Sequence, residues 1–148
     1  MMARLILALL ALFLFPFPAV GQAPPVKIGL IFPYTGPIAS VGQDATRGFE
    51  LHLAKLGGKA GGREIQLIKE DTEFKPDIGL TKTRKLVERD RVDLLVGPVN
   101  SGVALAIRDY VHRQGIPLVI PVAFSKEITS PAKASPWIFR VIETTDQG

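Results

Sequence analysis

The sequence predicts an α/β fold: a parallel, doubly wound sheet with helices on both faces. Short β-rich runs alternate with helical patterns from residue 26 onward, and Gly, Pro, Asp or Asn marks each change. Two of the runs, 92–96 and 117–120, are almost wholly apolar, as strands covered on both sides are. Consecutive strands separated by helices require right-handed crossovers, which yield a parallel sheet. The composition agrees, since 47% hydrophobic and 22% charged residues among 148 describe a folded chain rather than a disordered tail.

The first residues stand apart. Arg4 precedes an unbroken apolar run over 5–15, followed by Pro16, Pro18 and the small residues Ala19 and Gly21. This is the layout of a secretory signal. Eleven apolar residues reach about 16 Å as a helix, against roughly 30 Å of bilayer core, so a spanning helix is the poorer reading. The sequence predicts a signal peptide over 1–21, cleavage after Gly21 and a soluble exported product starting near Gln22. What remains is about 125 residues, enough for one core.

In the remainder, strand 26–32 enters a loop at 33–42 containing two Pro and two Gly. A helix over 44–56 follows, with Ala45, Phe49, Leu53 and Leu56 as its apolar stripe and Gly57-Gly58 as its stop. Strand 64–69 alternates Ile65, Leu67 and Lys69 with Glu64, Gln66 and Ile68, a pattern suited to a place near one sheet edge. Pro76 and Asp77 suit a helix start, and Ile78, Leu86 and Val87 against Lys82, Arg84, Lys85 and Glu88 predict a half-buried helix through 89. Strand 92–96, a loop at 97–102, a helix from about 103 to 114, the Gly115 stop, strand 117–120 and strand 137–141 complete the order. A polar stretch, 143–148, follows that last strand with no capping helix, so a truncated product or a single lobe is expected.

Several function classes are excluded at this stage. The net charge of +4 becomes +3 without Arg4 and is scattered, which is no nucleic-acid footprint. The chain has no cysteine, which removes thiolate zinc sites, iron–sulfur clusters, disulfides, a cysteine nucleophile and a lipid-anchoring cysteine. No Walker motif and no GxGxxG is present, and Ser101 does not lie in a GxSxG. His52 and His112 fall on helices without a second ligand at i+4 and read as surface residues. No cofactor and no metal are implied, and Glu70, Asp71 and Glu73 read as a solvated loop before a cation site.

Ligands of open α/β sheets sit beyond the carboxyl ends of the strands. Three loops qualify: 33–42, 97–102 and 121–129. In the middle one Ser101 suits an N-cap, with the N–H groups of Gly102, Val103 and Ala104 behind it and the positive end of the helix dipole aimed outward, a place for a carboxylate. Asn100 either shapes the turn or faces the ligand. Tyr34 and Phe124 are each either core or ligand wall.

With these pieces in order, the chain resembles the leucine/isoleucine/valine-binding family of type I periplasmic solute-binding proteins of ABC transporters. The resemblance rests on Val26-Lys27-Ile28-Gly29 with Gly36-Pro37-Ile38-Ala39, Gly97-Pro98 with Ser101, Gly115-Ile116-Pro117 with Ile120-Pro121, and Phe139-Arg140 with Asp146-Gln147-Gly148. It implies a two-lobed, non-enzymatic receptor that clamps a solute in its cleft and hands it to a membrane permease. Residues 22–142 would be the N-terminal lobe and 143–148 the start of the first inter-lobe crossover, with the second lobe absent. The family serine that holds the ligand carboxylate falls on Ser101, and the stretch that serves the α-amino group falls on Val122, Ala123 and Phe124. Phe124 stands where the amino-acid binders usually carry threonine, and Val41 where they often carry an aromatic. Loss of that hydroxyl removes a partner for a buried ammonium. The resemblance therefore implies a periplasmic receptor for a small carboxylate-bearing solute, a branched-chain or other amino acid, with an aromatic carboxylate or amide receptor, or a ligand-sensing domain of a membrane-bound regulator, as alternatives.

Overall fold

The computed structural model describes residues 23–145. The expected signal peptide and the end of the expected crossover lie outside the described residues.

Strand β1 (Val26–Phe32) buries Ile28, Leu30, Ile31 and Phe32, so both of its faces are covered. It pairs in parallel with β3 (Arg63–Asp71) on one side and with β4 (Leu94–Val96) on the other. Ile28 lies in register with Leu67 and Leu94. β5 (Leu118–Ile120) and β6 (Ile138–Arg140) extend the sheet in parallel beyond β4. The two-residue β2 (Lys59–Ala60) adds an antiparallel edge on β3, giving the order β2-β3-β1-β4-β5-β6. The sequence reading omitted β2, because a two-residue strand of exposed Lys59 and Ala60 carries no hydrophobic period.

Helices cover the two faces unequally. Among the described residues α1 (Ala39–Lys55) is the one helix on one face, where Ala45 and Phe49 meet Ile28, Leu30 and Phe32. α2 (Pro76–Arg84), a π-helical turn (Lys85–Arg89) and α3 (Ser101–Gln114) share the other, packing Leu80, Leu86, Val103, Ile107 and Val111 on Ile31, Leu95, Leu118 and Ile120. The Tyr110 hydroxyl donates to Glu88 Oε1 at 2.9 Å, and the Arg84 guanidinium lies 5.3 Å from the Tyr110 ring centre. These contacts fasten α3 to the α2 side, and burial beside Glu88 pushes the Tyr110 phenol up to about 12.

The elements agree in kind and order with the sequence reading and differ at their ends. α1 begins at Ala39, five residues before the predicted start, because its first turns pack by small residues. A Cβ at Gly42 would lie 2.0 Å from the Pro33 carbonyl oxygen, and Thr46 Oγ1 bonds Gly42 O and Tyr34 OH, each at 2.8 Å. Such contacts leave no apolar stripe to read. Leu56, assigned to that stripe, is the C-terminal cap and is 53% exposed. β4 is shorter than 92–96: Val92 is buried ahead of it, and Asp93 closes the sheet end through Lys27 N to its Oδ2 at 2.7 Å.

Buried Glu70, near the end of β3, joins the sheet to the helical layer through Lys82 at 3.0 Å and Lys85, which also reaches Asp90 at 3.1 Å. Burial pushes the Glu70 carboxyl up; the hydrogen bonds and charges of Lys85 and Lys82 outweigh it and hold the group below its ordinary value. A carboxyl depressed in the folded state adds stability above its unfolded pKa near 4.3 and loses it as pH falls through the lower folded value. Glu70→Gln is therefore expected to cost about 1–3 kcal/mol at pH 7. In urea melts across pH 3 to 8 its deficit should shrink once the pH drops below about 4. A deficit independent of pH would contradict this role. The α1 glycines give a paired prediction from the same melts. Gly42→Ala should destabilise by about 1–3 kcal/mol through overpacking. Gly48→Ala, whose Cβ would meet nothing within 4 Å, should stabilise by about 0.5–1 kcal/mol.

Candidate functional site

The connections from β1 and β4 leave in opposite directions, one through α1 to β3 and the other through α3 to β5. Their loops part above this pair and open a crevice at the carboxyl edge of the sheet. The exit of β4 runs close beside the end of β1. Gly97 has φ of 125°, and a Cβ there would lie 2.2 Å from the Ile31 carbonyl oxygen, so only glycine fits. Its amide donates to Val119 O at 2.9 Å, and the following bond to Pro98 is cis.

Asn100, not Ser101, is the N-cap of α3: its Oδ1 accepts from Gly102 N at 2.6 Å. Ser101 becomes the first helical residue. The correction has a tertiary cause, because Asn100 is held from outside the helix, its Nδ2 donating to Phe74 O at 2.8 Å. Ala104 N bonds Asn100 O at 3.0 Å, so two of the three amides expected to face a ligand, those of Gly102 and Ala104, are engaged within the protein. Ser101 Oγ accepts the Ser125 amide at 3.3 Å, which bridges the β4 and β5 loops and leaves the hydroxyl proton unused by this bond.

On the other side of the crevice, Asp71 ties the β1 loop to the β3 loop. Its carboxylate accepts from Tyr34 N at 2.8 Å, Thr35 Oγ1 at 2.7 Å and Glu73 N at 2.8 Å. Burial pushes this carboxyl up, and the bonds from Thr35, Tyr34 and Glu73 outweigh that and hold it below the ordinary range. Glu70 and Asp71 are thus structural, and among the described residues no group of three His, Cys, Asp or Glu side chains is placed to hold a metal ion. Glu73 and Phe74 follow with φ of 48° and 60°, left-handed conformations that cost non-glycine residues on the order of 1–3 kcal/mol each. Phe74 is 40% exposed, and the sequence reading passed over it. Periodicity gives no signal for a single aromatic in a four-residue turn; its only mark is an apolar residue among Glu73, Lys75 and Asp77.

The predicted loops do converge on this edge. Val41 lies in the first turn of α1 and is 39% exposed, whereas Phe124, after β5, is 53% exposed. Tyr34, by contrast, belongs to the core beneath α1, its hydroxyl on Thr46. Val122 is half-buried and Ala123 fully buried, so Ala123 presents backbone rather than side chain. The Phe124 carbonyl accepts the Thr145 amide at 3.1 Å, and Arg140 clamps the same loop through Ser125 O at 2.7 Å and Thr129 Oγ1 at 2.6 Å. His52 and His112 lie exposed in the last turns of their helices, at the opposite edge. A hollow of about 300 Å³ lies elsewhere on the surface, beside Arg108, His112 and Lys133.

An open crevice at a strand-order switch, rimmed by apolar side chains and a helix start, is the layout of a solute-binding lobe. Comparison with known proteins agrees. The sequence profile described as periplasmic binding protein matches residues 25–148. The chain is 33% identical over 106 residues to the Leu/Ile/Val-binding protein BraC3 of Rhizobium johnstonii, an alignment covering 70% of this chain and 29% of the relative. It superposes on an ABC transporter substrate-binding protein from Sphaerobacter thermophilus with a TM-score of 0.80 and 38% identity, covering 83% of this chain and 33% of the other. A solute-binding protein of an ABC transporter from R. palustris, solved in complex with benzoate, matches with a TM-score of 0.79 and 38% identity, covering 83% of this chain and 34% of that one. The chain spans about a third of the length of these proteins. Sheet order, profile and superposition converge, and the chain belongs to the periplasmic binding protein family.

Proposed function

We propose that this chain forms the N-terminal ligand-binding lobe of a periplasmic receptor, exported by the signal over 1–21, that presents a small carboxylate-bearing solute to an ABC permease. The observation that carries the reading is Ser101. Its hydroxyl opens the first turn of α3 beside the switch crevice and is fixed by the Ser125 amide, with its proton left for an acceptor. The helix dipole favours an anion at that point. Asn100 caps the helix behind it, while Val41, Val122, Ala123 and Phe124 supply the rim. The role is binding and hand-over, with no bond made or broken, and neither histidine is near enough to act as a base for Ser101.

A specific observation favours one class of solute. Phe124 brings an exposed ring and no hydroxyl to the place where an α-ammonium would need a partner, and an unpaired buried ammonium is costly. An aromatic carboxylate needs no such partner. The 38% identical R. palustris protein was solved with benzoate, which supports the same class, while the match to BraC3 keeps aliphatic amino acids as the second reading.

In the full-length protein, Ser101→Ala is expected to weaken carboxylate binding about 10- to 100-fold, the worth of one hydrogen bond to a charged group. Its melting temperature should stay close to that of the parent. Calorimetric titration with benzoate and with isoleucine checks this, and unchanged affinity for whichever ligand binds rejects Ser101 as the carboxylate anchor.

A further inference from the structure

We infer that Phe74 is a specificity-determining wall of this crevice, set to face the ring of an aromatic carboxylate from the side opposite Phe124. The inference rests on the carboxylate-binding reading above and adds a residue that the resemblance did not supply.

Position comes first. Phe74 lies in the turn after β3, whereas Phe124 lies in the loop after β5; Ser101, after β4, falls between them. With strands about 4.8 Å apart, the β3 and β5 exits stand some 14 Å from each other, a span that two phenylalanine side chains with one small ring between them would fill. The carbonyl of Phe74 is bonded to Asn100, the residue adjoining Ser101, so the aromatic and the carboxylate anchor are fixed to one another through a single side chain.

Conformation is the second, independent observation. Phe74 adopts φ of 60° directly after Glu73 at 48°, where glycine or asparagine would be at ease. The turn is pinned throughout: Asp71 accepts the Glu73 amide, Thr72 Oγ1 accepts the Phe74 amide at 3.3 Å, Thr72 O accepts the Lys75 amide at 2.8 Å, and Thr72 N reaches Phe32 O at 3.0 Å. Core packing does not account for a strained, large apolar side chain that remains 40% exposed. Strain held in place by a rigid surround at a crevice is the mark of a preorganised contact.

The experiment titrates benzoate and isoleucine into the full-length protein and into its Phe74→Gly, Phe74→Leu and Ser101→Ala variants, with melting temperatures of the unliganded forms. Phe74→Gly relieves the backbone, so its unliganded form should melt at or above the parent temperature while benzoate binding weakens about 10-fold. Phe74→Leu should fall between the two, and isoleucine binding should change less than benzoate binding. If Phe74→Gly binds benzoate within twofold of the parent while Ser101→Ala does not, Phe74 is no part of the wall and the carboxylate reading survives. Binding of isoleucine but not benzoate by the parent overturns the aromatic assignment. If the parent binds neither, the receptor reading falls and this inference with it.

Discussion

The close approach of Gly97, at the exit of β4, to Ile31 of β1 is the constraint on which the rest depends. β1 is central, paired on both sides and buried on both faces, so the chain beyond β4 must pass within contact of its last carbonyls. Gly97 makes that passage possible, its missing side chain leaving room for the Ile31 carbonyl. The start of α3 follows four residues later, at the carboxyl edge of the sheet. The crevice is a consequence of sheet order, and the helix dipole that favours an anion there comes with it.

Around that junction the polar side chains mainly hold loops together. Asp71 joins the β1 and β3 loops, Asn100 joins the β3 turn to α3, Ser101 joins α3 to the β5 loop, and Arg140 locks the β5 loop to β6. Each link crosses between elements distant in sequence, and together they form a continuous rim. Val41, Phe74 and Phe124, at the carboxyl ends of β1, β3 and β5, stay exposed beside these links. A binding lobe needs this combination of rigid edge and uncovered apolar surface.

The two faces of the sheet are stabilised unequally. Two helices and a π-helical turn cover one face from Ile68 to Ile138, whereas among the described residues α1 is the one helix on the other, over β1 and β3. On that second face Val119 and Phe139 share a register position, and Phe139 is 52% exposed. Among the described residues no helix lies over this part of the sheet. The Glu70 ion-pair group and the Tyr110–Glu88 bond therefore strengthen the side that is already better covered.

The sequence by itself determined the kind and order of the main elements, the parallel character of the sheet and the place of Ser101 at a strand-end helix start. These follow from periods of two and 3.6 and from punctuation by Gly and Pro, all of them local in the chain. The family resemblance was legible for the same reason, since its motifs mark turns in a fixed order. Tertiary structure alone decided the early start of α1, the two-residue edge strand, the capping of α3 by Asn100 and the left-handed turn that leaves Phe74 exposed. The last two depend on partners far along the chain, Asn100 on Phe74 and the β3 turn on Phe32, whereas the Gly42–Pro33 contact and the pairing of β2 with β3 are local but carry no hydrophobic period. No window of neighbouring residues contains both halves of a distant contact, and for that reason the elements were legible while the rim of the crevice was not.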